Sequence, residues 1–306
     1  MMIAIFEGVE GRIQENADIA PFTWFRVGGK ADLIFRPKDA KDLSLFLSQL
    51  PKEYLIMPIG AGSNIIIRDG GLRGVVLRLG KGFGDMKRLD DHHVEIGAAV
   101  PDMNAAKFMA EQGLSGGAFL RGVPGTIGGA LKMNAGAYGS EVKDIFVSAK
   151  AVTRTGEHVT LSYDEMRFRY RGTDPQDVFY ISAIFKLEKG DKDTILKEME
   201  EITEKRGSTQ PVKSRTGGST FKNPEGHKAW QLVDAAGCRG LQIGGAQISD
   251  LHCNFMINKD NATAYDIELL GETVREKVYH NSGILLEWEV KRLGDFGAKQ
   301  VVPFTV

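Results

Sequence analysis

The sequence is poor in several features that mark specialised classes of protein. It has only 2 cysteines among 306 residues, Cys238 and Cys253, which are not spaced as a metal site. It contains no apolar run near the ~18 residues of a transmembrane helix and no secretory signal pattern. Neither charge sign dominates, with 39 basic and 40 acidic residues. These absences argue against a disulfide scaffold, a membrane protein and a general nucleic-acid binder, so we expect a cytoplasmic protein with buried free thiols and no metal.

Apolar periodicity predicts an α+β chain whose length suits two or three domains. The predicted strands are Ala31–Arg36, Tyr54–Ile59, Asn64–Ile67, Gly74–Leu79, His93–Ala98, Ile145–Thr153, His158–Ser162, Val178–Leu187, His252–Asn258 and Ile284–Arg292. The predicted helices are one that opens at Pro37–Asp39 with Leu43, Phe46, Leu47 and Leu50 on one stripe, then Pro101–Gln112, Asp191–Arg206 ending at Gly207, Lys228–Ala236, and Ala264–His280 with a capping-box pattern in Thr263 and Asp266. We place the expected domain boundaries so as to give segments 1–82, 83–200 and 201–306.

Glycine, in contrast, is concentrated in one segment. Between Gly113 and Gly139, nine of the twenty-seven residues are glycine. Glycine in a regular element costs roughly 0.5–1 kcal/mol against alanine, so such a segment is expected where the backbone must approach a ligand closely. A flexible linker is the alternative, but Val123, Ile127 and Leu131 are interleaved with the glycines and Pro124 stiffens the loop. We therefore favour a ligand cradle.

A second glycine-rich loop, Gly60–Asn64, lies between two predicted strands. No Gly-Lys pair in the chain is followed by Ser or Thr, which excludes a Walker A loop. The third glycine of a dinucleotide fingerprint is also missing here, which excludes a Rossmann turn. The loop suits a backbone phosphate nest and a tight hairpin turn equally well. Two such loops together favour a ligand with two phosphates.

Three other segments carry charges that suit an anionic substrate. Arg167, Arg169 and Arg171 would lie on one side of an extended segment, although a solvated edge strand accounts for most of this pattern. Five cations and no carboxylate lie between residues 205 and 222, where an anion site is at least as good an explanation as a solvated face. In Ile284–Arg292, apolar and charged residues alternate, and by itself this pattern favours an amphipathic strand with one wet face over a catalytic strand.

Several motifs in a fixed order resemble the UDP-N-acetylenolpyruvoylglucosamine reductase family. These motifs are Thr23–Gly29, Ile59–Asp69, Gly122–Gly129, Met133–Gly139, Gly218–Pro224, Leu232–Asn258 and Leu286–Val290, which together span nearly the whole chain. Trp24 and Lys30 are departures from the first motif, and Gly172 and Thr173 follow Tyr170-Arg171 where the family often has a serine. None of these departures removes a residue to which the family assigns catalysis.

The resemblance implies a fold, a reaction and two cofactors. The expected fold is an FAD-binding domain of the vanillyl-alcohol-oxidase (PCMH) type at about residues 26–190, in two α+β lobes, followed by a C-terminal α+β substrate-binding domain. The expected reaction is the NADPH-dependent, FAD-mediated reduction of UDP-N-acetylglucosamine enolpyruvate to UDP-N-acetylmuramate, in peptidoglycan precursor biosynthesis. No histidine lies in either glycine-rich loop, so we expect non-covalent FAD. The short spacing between Arg171 and Ser219 resembles the family type without an added substrate-capping loop.

The resemblance also assigns roles to individual residues. The implied catalytic residues are Arg171, which stabilises the enolate, Ser219, which protonates it, and Glu289. The implied cofactor-binding residues are Gly60, Ala61, Gly62, Ser63, Asn64, Gly122, Val123, Pro124, Gly125, Thr126, Gly128, Gly129, Ala135, Gly136, Arg215 and Gly218. The implied substrate-binding residues are Tyr170, Lys222, Asn223 and Lys291.

Two rival functions fit parts of the same pattern. An FAD-dependent alcohol or sugar oxidase of the same superfamily would share the glycine-rich loops but would not need Ser219 together with Arg171 and Glu289. A non-catalytic nucleotide-sugar binding protein would carry no flavin. No dinucleotide motif remains that would locate NADPH, and we expect a monomer that binds neither nucleic acid nor membrane.

Overall fold

The computed structural model of the chain describes residues 6–298 and 300–301. The chain folds into two compact units, each built from several separate stretches of sequence. Unit 1 contains the residues up to Glu15, Leu33–Ala61 and Gly74–Lys205, and unit 2 contains Asn16–Asp32, Gly62–Arg73 and the residues from Arg206 onwards. The expected domain boundaries at residues 82 and 200 stay predictions.

The chain alternates short strands and helices throughout its described length. The strands are β1 (Arg12–Asp18), β2 (Lys30–Arg36), β3 (Ile56–Pro58), β4 (Ile65–Ile67), β5 (Leu72–Leu77), β6 (Met86–Arg88), β7 (His93–Gly97), β8 (Leu114–Ser115), β9 (Gly136–Ala137), β10 (Ser140–Glu141), β11 (Phe146–Thr153), β12 (His158–Ser162), β13 (Val178–Lys186), β14 (Glu188–Lys189), β15 (Thr216–Ser219), β16 (Gln242–Ile243), β17 (Ala246–Ile248), β18 (Phe255–Asn258) and β19 (Lys291–Leu293). The α-helices are α1 (Ala40–Gln49), α2 (Asp102–Glu111), α3 (Ile127–Met133), α4 (Tyr163–Met166), α5 (Lys192–Thr209), α6 (Ala229–Ala235) and α7 (Ala264–Ser282). The mixed α+β content agrees with the expected fold class.

Unit 1 contains an antiparallel sheet in the order β12-β11-β13-β7-β6. The small residues Ala149 and Ala183 pair across its centre, where helices α2, α3 and α5 contribute to one apolar core. A second sheet has the order β1-β2-β5-β3, in which β3 and β5 run parallel. Helix α1 belongs to a second core with residues of that sheet, and its N-cap Asp39 accepts a hydrogen bond from the Asp42 N–H.

Unit 2 contains an antiparallel sheet in the order β15-β18-β17-β16 and a parallel pair of β19 with β4. Helices α6 and α7 share the apolar core of this unit with both cysteines. Cys238 and Cys253 are buried free thiols, as the sequence predicts. The predicted capping box at the start of α7 is confirmed, because Thr263 and Asp266 exchange hydrogen bonds between side chain and backbone.

Three sequence predictions about local structure are wrong. Helix α5 does not end at Gly207 but continues to Thr209, shortly before Pro211, where the residue preceding a proline is disfavoured in a helix. Ile284–Arg292 is not one strand, since only Trp288 forms an isolated bridge and β19 begins at Lys291. Arg167–Arg171 is not extended, because Arg167 and Arg171 both have positive φ angles. Over residues 6–298 and 300–301, no helix has the length and apolarity needed to cross a bilayer.

Candidate active site

The start of the first glycine-rich loop, at Gly60, lies beside the second loop within unit 1. The first follows β3 at Gly60, and the second leads into α3 at Thr126. A Cβ atom built on Gly60 would lie 2.5 Å from Oγ1 of Thr126, so the backbone of one loop passes directly over the side chain of the other. The hairpin-turn interpretation of Gly60–Asn64 is wrong, because β3 pairs with β5 while β4 pairs with β19.

Most glycines of these loops are required by the protein's own packing. A Cβ on Gly122 would lie 2.6 Å from the Tyr138 ring, and one on Gly136 would lie 2.7 Å from Cγ of Glu141. A Cβ on Gly128 would lie 3.2 Å from the Ala98 carbonyl oxygen. In unit 2, Gly62 has a φ of +68° and packs against the Phe22 carbonyl. These four glycines therefore do not need a ligand to explain them.

Gly129, in unit 1, shows the opposite arrangement. It lies inside α3, where glycine is unfavourable, and its φ is not positive. A Cβ at this position would meet nothing closer than Oγ1 of Thr126, at 3.9 Å. The open space beside an exposed helical glycine is what a ligand cradle requires. The open space beside Gly129 is compatible with FAD at this loop.

The second loop is fixed by hydrogen bonds to the start of α2. The Asp102 N–H donates to the Gly125 carbonyl, at 3.1 Å, and the Ile127 N–H donates to the Val100 carbonyl, at 3.0 Å. The Gly128 N–H is taken up by the Ala98 carbonyl, at 2.9 Å. Gly128 can therefore offer a ligand close approach but not its N–H group.

Asp102 is an unusual neighbour for this loop. Its side chain is completely buried, and neither carboxyl oxygen has a hydrogen-bond partner among the described residues. Burial raises the pKa of Asp102 well above its ordinary value, since the charged form would be desolvated without compensation. A buried acid with a raised pKa thus lies next to Gly125.

The remaining predicted cofactor residues lie at the ends of elements. Val123 and Pro124 follow a 3-10 helix, Ala118–Gly122. The Ala135 N–H donates to the Ala130 carbonyl at the end of α3. In unit 2, Ser63 precedes β4, the Arg215 carbonyl accepts from the Asn258 N–H, and Gly218 in β15 has a φ of +78° with open space beside it.

Arg171 lies in a tight turn of unit 1. Arg169 and Gly172 exchange backbone hydrogen bonds of 3.0 and 3.2 Å, so Tyr170 and Arg171 form the tip. The φ of +55° at Arg171 is unfavourable for a side chain of this size and is typical of a position over-determined by its surroundings. The Arg171 guanidinium lies 4.9 Å from the centroid of the exposed Tyr170 ring. The three arginines therefore do not lie together on one side of an extended segment, and Arg171 lies at the tip of the turn.

Two residues that the sequence did not single out hold this turn. Asn134 is fully buried, and its Nδ2 donates to the Arg169 carbonyl, at 3.2 Å, and to Oε2 of Glu141, at 3.1 Å. Burial acts to raise the pKa of Glu141, but hydrogen bonds from Lys143 and Asn134 and the charges of Lys143 and Arg171 outweigh it and lower the pKa. The only signal in the sequence was the place of Asn134 in the Met133–Gly139 motif.

Ser219 ends strand β15 in unit 2 and pairs with Phe255 of β18. After it, the Thr220 N–H donates to the Asn254 carbonyl, at 2.8 Å. The buried Asn254 side chain exchanges two hydrogen bonds with the backbone of Phe221, of 3.0 and 2.8 Å. Ser219 is partly buried. Sequence reasoning missed Asn254, which holds the backbone of the two residues that follow Ser219.

Glu289 is brought to the same segment by backbone pairing. Its N–H donates to the Thr220 carbonyl, at 2.8 Å, and the Lys222 N–H donates to the Glu287 carbonyl, at 2.8 Å. The Phe221 and Trp288 rings between these bonds lie 5.3 Å apart. Glu289 therefore lies opposite Thr220, the residue next to Ser219, as in an antiparallel pair.

The predicted substrate residues of unit 2 already have protein partners. The Lys222 ammonium forms an ion pair with Glu287, at 2.9 Å, and this hydrogen bond and charge lower the pKa of the Glu287 carboxyl. Oδ1 of Asn223 accepts from the Ala229 N–H at the start of α6, at 3.0 Å. Lys291 begins β19, and its N–H donates to the Asn64 carbonyl, at 3.0 Å.

Asn64 contacts the glutamate segment directly. Its Nδ2 donates to the Glu289 carbonyl, at 3.3 Å, while its own carbonyl accepts from Lys291. The pairing continues with Ile65 opposite Lys291. The side chain of this predicted cofactor residue therefore holds the backbone of a predicted catalytic residue.

Comparisons with known proteins identify the family. Residues 31–162 match the family model described as an FAD binding domain, and residues 210–293 match that of the C-terminal domain of UDP-N-acetylenolpyruvoylglucosamine reductase. UDP-N-acetylenolpyruvoylglucosamine reductase of Azorhizobium caulinodans is 54% identical over 96% of this chain and 95% of its own, and that of Rickettsia peacockii is 50% identical over 94% and 97%.

The solved structures include a match of the same kind. The crystal structure of UDP-N-acetylenolpyruvylglucosamine reductase from Thermus caldophilus has a TM-score of 0.82 at 29% identity and covers 93% of this chain and 100% of its own. The identity and coverage of these relatives show that the chain belongs to the UDP-N-acetylenolpyruvoylglucosamine reductase family.

Proposed function

We infer that the chain reduces UDP-N-acetylglucosamine enolpyruvate to UDP-N-acetylmuramate with FAD as cofactor and NADPH as reductant. The observation that carries this assignment is the backbone pairing that sets Glu289 opposite Thr220, next to Ser219. An oxidase of an alcohol or sugar needs no proton donor to an enolate, whereas the reduction of an enol ether does. The pairing brings the backbone segments that carry Ser219 and Glu289 together.

The residues divide the chemistry among them. When bound, FAD would supply the redox chemistry, with electrons from NADPH and a hydride for the enolpyruvyl group. The neighbouring carbon then bears enolate charge, which Arg171 stabilises through its guanidinium. Ser219 donates the proton that completes the reduction, and Glu289 supports this transfer. The turn at Arg171 and the paired strands at Ser219 restrain the backbone at both residues before substrate arrives.

Backbone approach accounts for cofactor binding in this proposal. Gly60–Asn64, Gly122–Thr126, Gly128 and Gly129 hold FAD without a covalent bond, together with Ala135, Gly136, Arg215 and Gly218. The open space beside Gly129 supports this role. Tyr170, Lys222, Asn223 and Lys291 bind the substrate. Lys222 must then exchange Glu287 for an anionic group of the substrate.

An anaerobic absorbance spectrum tests the function. NADPH should bleach the yellow protein, and the enolpyruvyl nucleotide sugar should restore the colour, while simple alcohols and sugars should not. Denaturation should release free FAD. Reduction of the flavin by an alcohol would favour the oxidase, and a colourless preparation would favour the binding protein.

Steady-state kinetics test the order of events. Because no separate NADPH motif is visible in the sequence, we propose that NADPH and substrate bind in turn at one place. Initial-rate plots should then give parallel lines, with inhibition by substrate at high concentration. Intersecting lines would indicate two simultaneous sites and contradict this part of the proposal.

A further inference from the structure

A buried ionic cluster centred on α7 contacts the segment that carries Glu289. Glu272 is its centre, and its side chain is almost completely buried. Oε1 of Glu272 accepts from Nε1 of Trp288, at 2.9 Å, and from Nη1 of Arg292, at 2.7 Å. Oε2 of Glu272 pairs with Arg275. One carboxylate thus contacts three side chains.

The three contacts act on both sides of Glu289. Nε of Arg275 donates to the Leu286 carbonyl, at 2.8 Å, so the arginine ties the segment before Glu289 to Glu272. Trp288 is the residue next to Glu289, and Arg292 follows it in β19. The Arg292 guanidinium also covers the Trp288 ring, 4.6 Å from its centroid.

The Trp288 ring is seated directly on the helix. A Cβ atom on Gly271 would overlap the six-membered ring of Trp288, so the helix backbone forms one wall of its pocket. The other wall is the Phe221 ring. The indole N–H needs an acceptor in this setting, and Glu272 provides it.

We propose that Glu272 is a positioning residue that sets the register of Glu289 through Trp288. This proposal rests on the catalytic role assigned to Glu289 above. In an extended segment, a slip of one residue turns every side chain to the opposite face. The indole can satisfy Glu272 in one register only, so the hydrogen bond fixes which face carries the Glu289 carboxyl. Register selection is a known use of buried polar groups.

Glu268 offers a matched control on the same helix. It is fully buried one turn before Glu272 and also faces Arg292, at 3.7 Å. Glu268, however, accepts hydrogen bonds from Nε and Nη2 of Arg68, at 2.9 and 3.1 Å, and not from Trp288. The two glutamates therefore share burial and ion pairing but differ in the contact that the proposal requires.

The experiment compares the holoenzyme variants Glu272→Leu, Glu268→Leu and Trp288→Phe, because leucine offers no acceptor to the indole N–H. For each, thermal unfolding, bound FAD, the rate of flavin reduction by NADPH and the rate of re-oxidation by the enolpyruvyl substrate are measured. Both leucine variants should unfold at lower temperature. Only Glu272→Leu and Trp288→Phe should slow re-oxidation, by about tenfold or more in the limiting rate, with flavin reduction within a few-fold of normal.

Each outcome decides the proposal. Equal re-oxidation rates in Glu272→Leu and Glu268→Leu would overturn it, as would a normal rate in Trp288→Phe. If Glu272→Leu does not fold, Trp288→Phe alone decides, because it keeps an aromatic ring and removes the indole N–H, while its thermal unfolding reports the cost of the smaller ring. If Ser219→Ala leaves re-oxidation unchanged, the proposed function fails first. If Ser219→Ala slows it and Trp288→Phe does not, only the positioning role fails.

Discussion

The glycine-rich loops of unit 1 and the paired segments of unit 2 prepare their sites in opposite ways. At Gly129 the structure leaves space and offers no side chain. Around Glu289 it does the reverse. The Glu289 N–H donates to the Thr220 carbonyl, its carbonyl accepts from the Asn64 side chain, and the side chain of the adjacent Trp288 donates to Glu272. The glycine-rich loops should therefore lose function when an atom is added to a glycine. The paired segments should lose function when a hydrogen-bond partner is removed. Substitutions in the two regions should therefore affect different steps.

Two buried carboxyl groups repeat this contrast. Asp102, beside the loop of unit 1, has no hydrogen-bond partner for either oxygen among the described residues. Glu268, in unit 2, binds the Arg68 guanidinium with both oxygens. Burial costs a charged group far less when it is paired and hydrogen-bonded. We therefore expect a charged Asp102 to cost stability in unit 1, and the loss of Glu268 to cost stability in unit 2 because it would leave the Arg68 guanidinium without this partner.

The largest effects are expected from the charged groups assigned to catalysis. Glu289→Gln removes the acid, and Arg171→Lys replaces a planar guanidinium by a single ammonium. Both should lower the rate of re-oxidation by substrate by ~10²-fold or more and leave reduction by NADPH within a few-fold. Arg171 lies in unit 1, so an equal loss in both half-reactions would assign it to cofactor binding. Stopped-flow absorbance of the flavin measures both rates.

A smaller and opposite pair of effects is expected at Gly129. Alanine in α3 should stabilise the helix by roughly 0.5–1 kcal/mol while it obstructs the cradle, so the variant should unfold at higher temperature when FAD is removed and bind FAD more weakly. Valine should weaken FAD binding further.

Gly207 in α5 is the matched control, since it is helical and a Cβ there would meet nothing within 4 Å. Gly207→Ala should share the gain in stability and keep normal FAD affinity. Fluorescence titration with FAD and thermal unfolding decide the comparison. Unchanged FAD affinity in Gly129→Ala would place the cradle elsewhere.

The smallest effect is expected from Asp102→Asn. Burial raises the pKa of Asp102 above the ~3.9 of an unfolded chain, so folding takes up a proton between these two values. The contribution of Asp102 to stability is full below pH ~4 and is lost as the pH rises towards the folded pKa. Asparagine does not ionise, so its contribution to stability does not fall as the pH rises. The melting temperature of the variant should therefore exceed that of the parent protein by an amount that grows with pH.

Glu268→Gln tests the other half of this contrast. It removes one partner of a buried pair, which typically costs ~3–5 kcal/mol. Its melting temperature should therefore fall below that of the parent protein at neutral pH.

For Asp102→Asn, a difference in melting temperature that does not change with pH would mean that the Asp102 carboxyl is ionised in the folded protein.

The sequence predicted most elements because their apolar periodicity reports burial. The stripe of Leu43, Phe46 and Leu47 is buried in α1 as expected. Alternation in 167–171 and 284–292 was misleading, because it does not show which backbone groups find partners. The backbone at Arg171 lies in a tight turn with a positive φ. The Leu286 carbonyl accepts its hydrogen bond from a side chain, that of Arg275.

For residues that act through distant partners, the sequence did not show which segment each one contacts. Asn134, Asn254 and Glu272 each bind a segment far from them in sequence. Nothing beside Glu272 in the sequence indicates that it binds Trp288. The glycines posed a related problem, because composition alone does not separate Gly129, which faces open space, from Gly122, which is packed against Tyr138.

The most direct test of the whole account is the pair of half-reaction rates in Ser219→Ala. Proton donation to the enolate belongs to the second half-reaction only, so the variant should retain FAD and be reduced by NADPH at a rate within a few-fold of normal. Its re-oxidation by UDP-N-acetylglucosamine enolpyruvate should fall by the ~10²–10⁴ typical of a removed general acid. If both rates fell equally, or neither fell, Ser219 would not be the proton donor, and the division of roles between the loops of unit 1 and the paired segments of unit 2 would be contradicted.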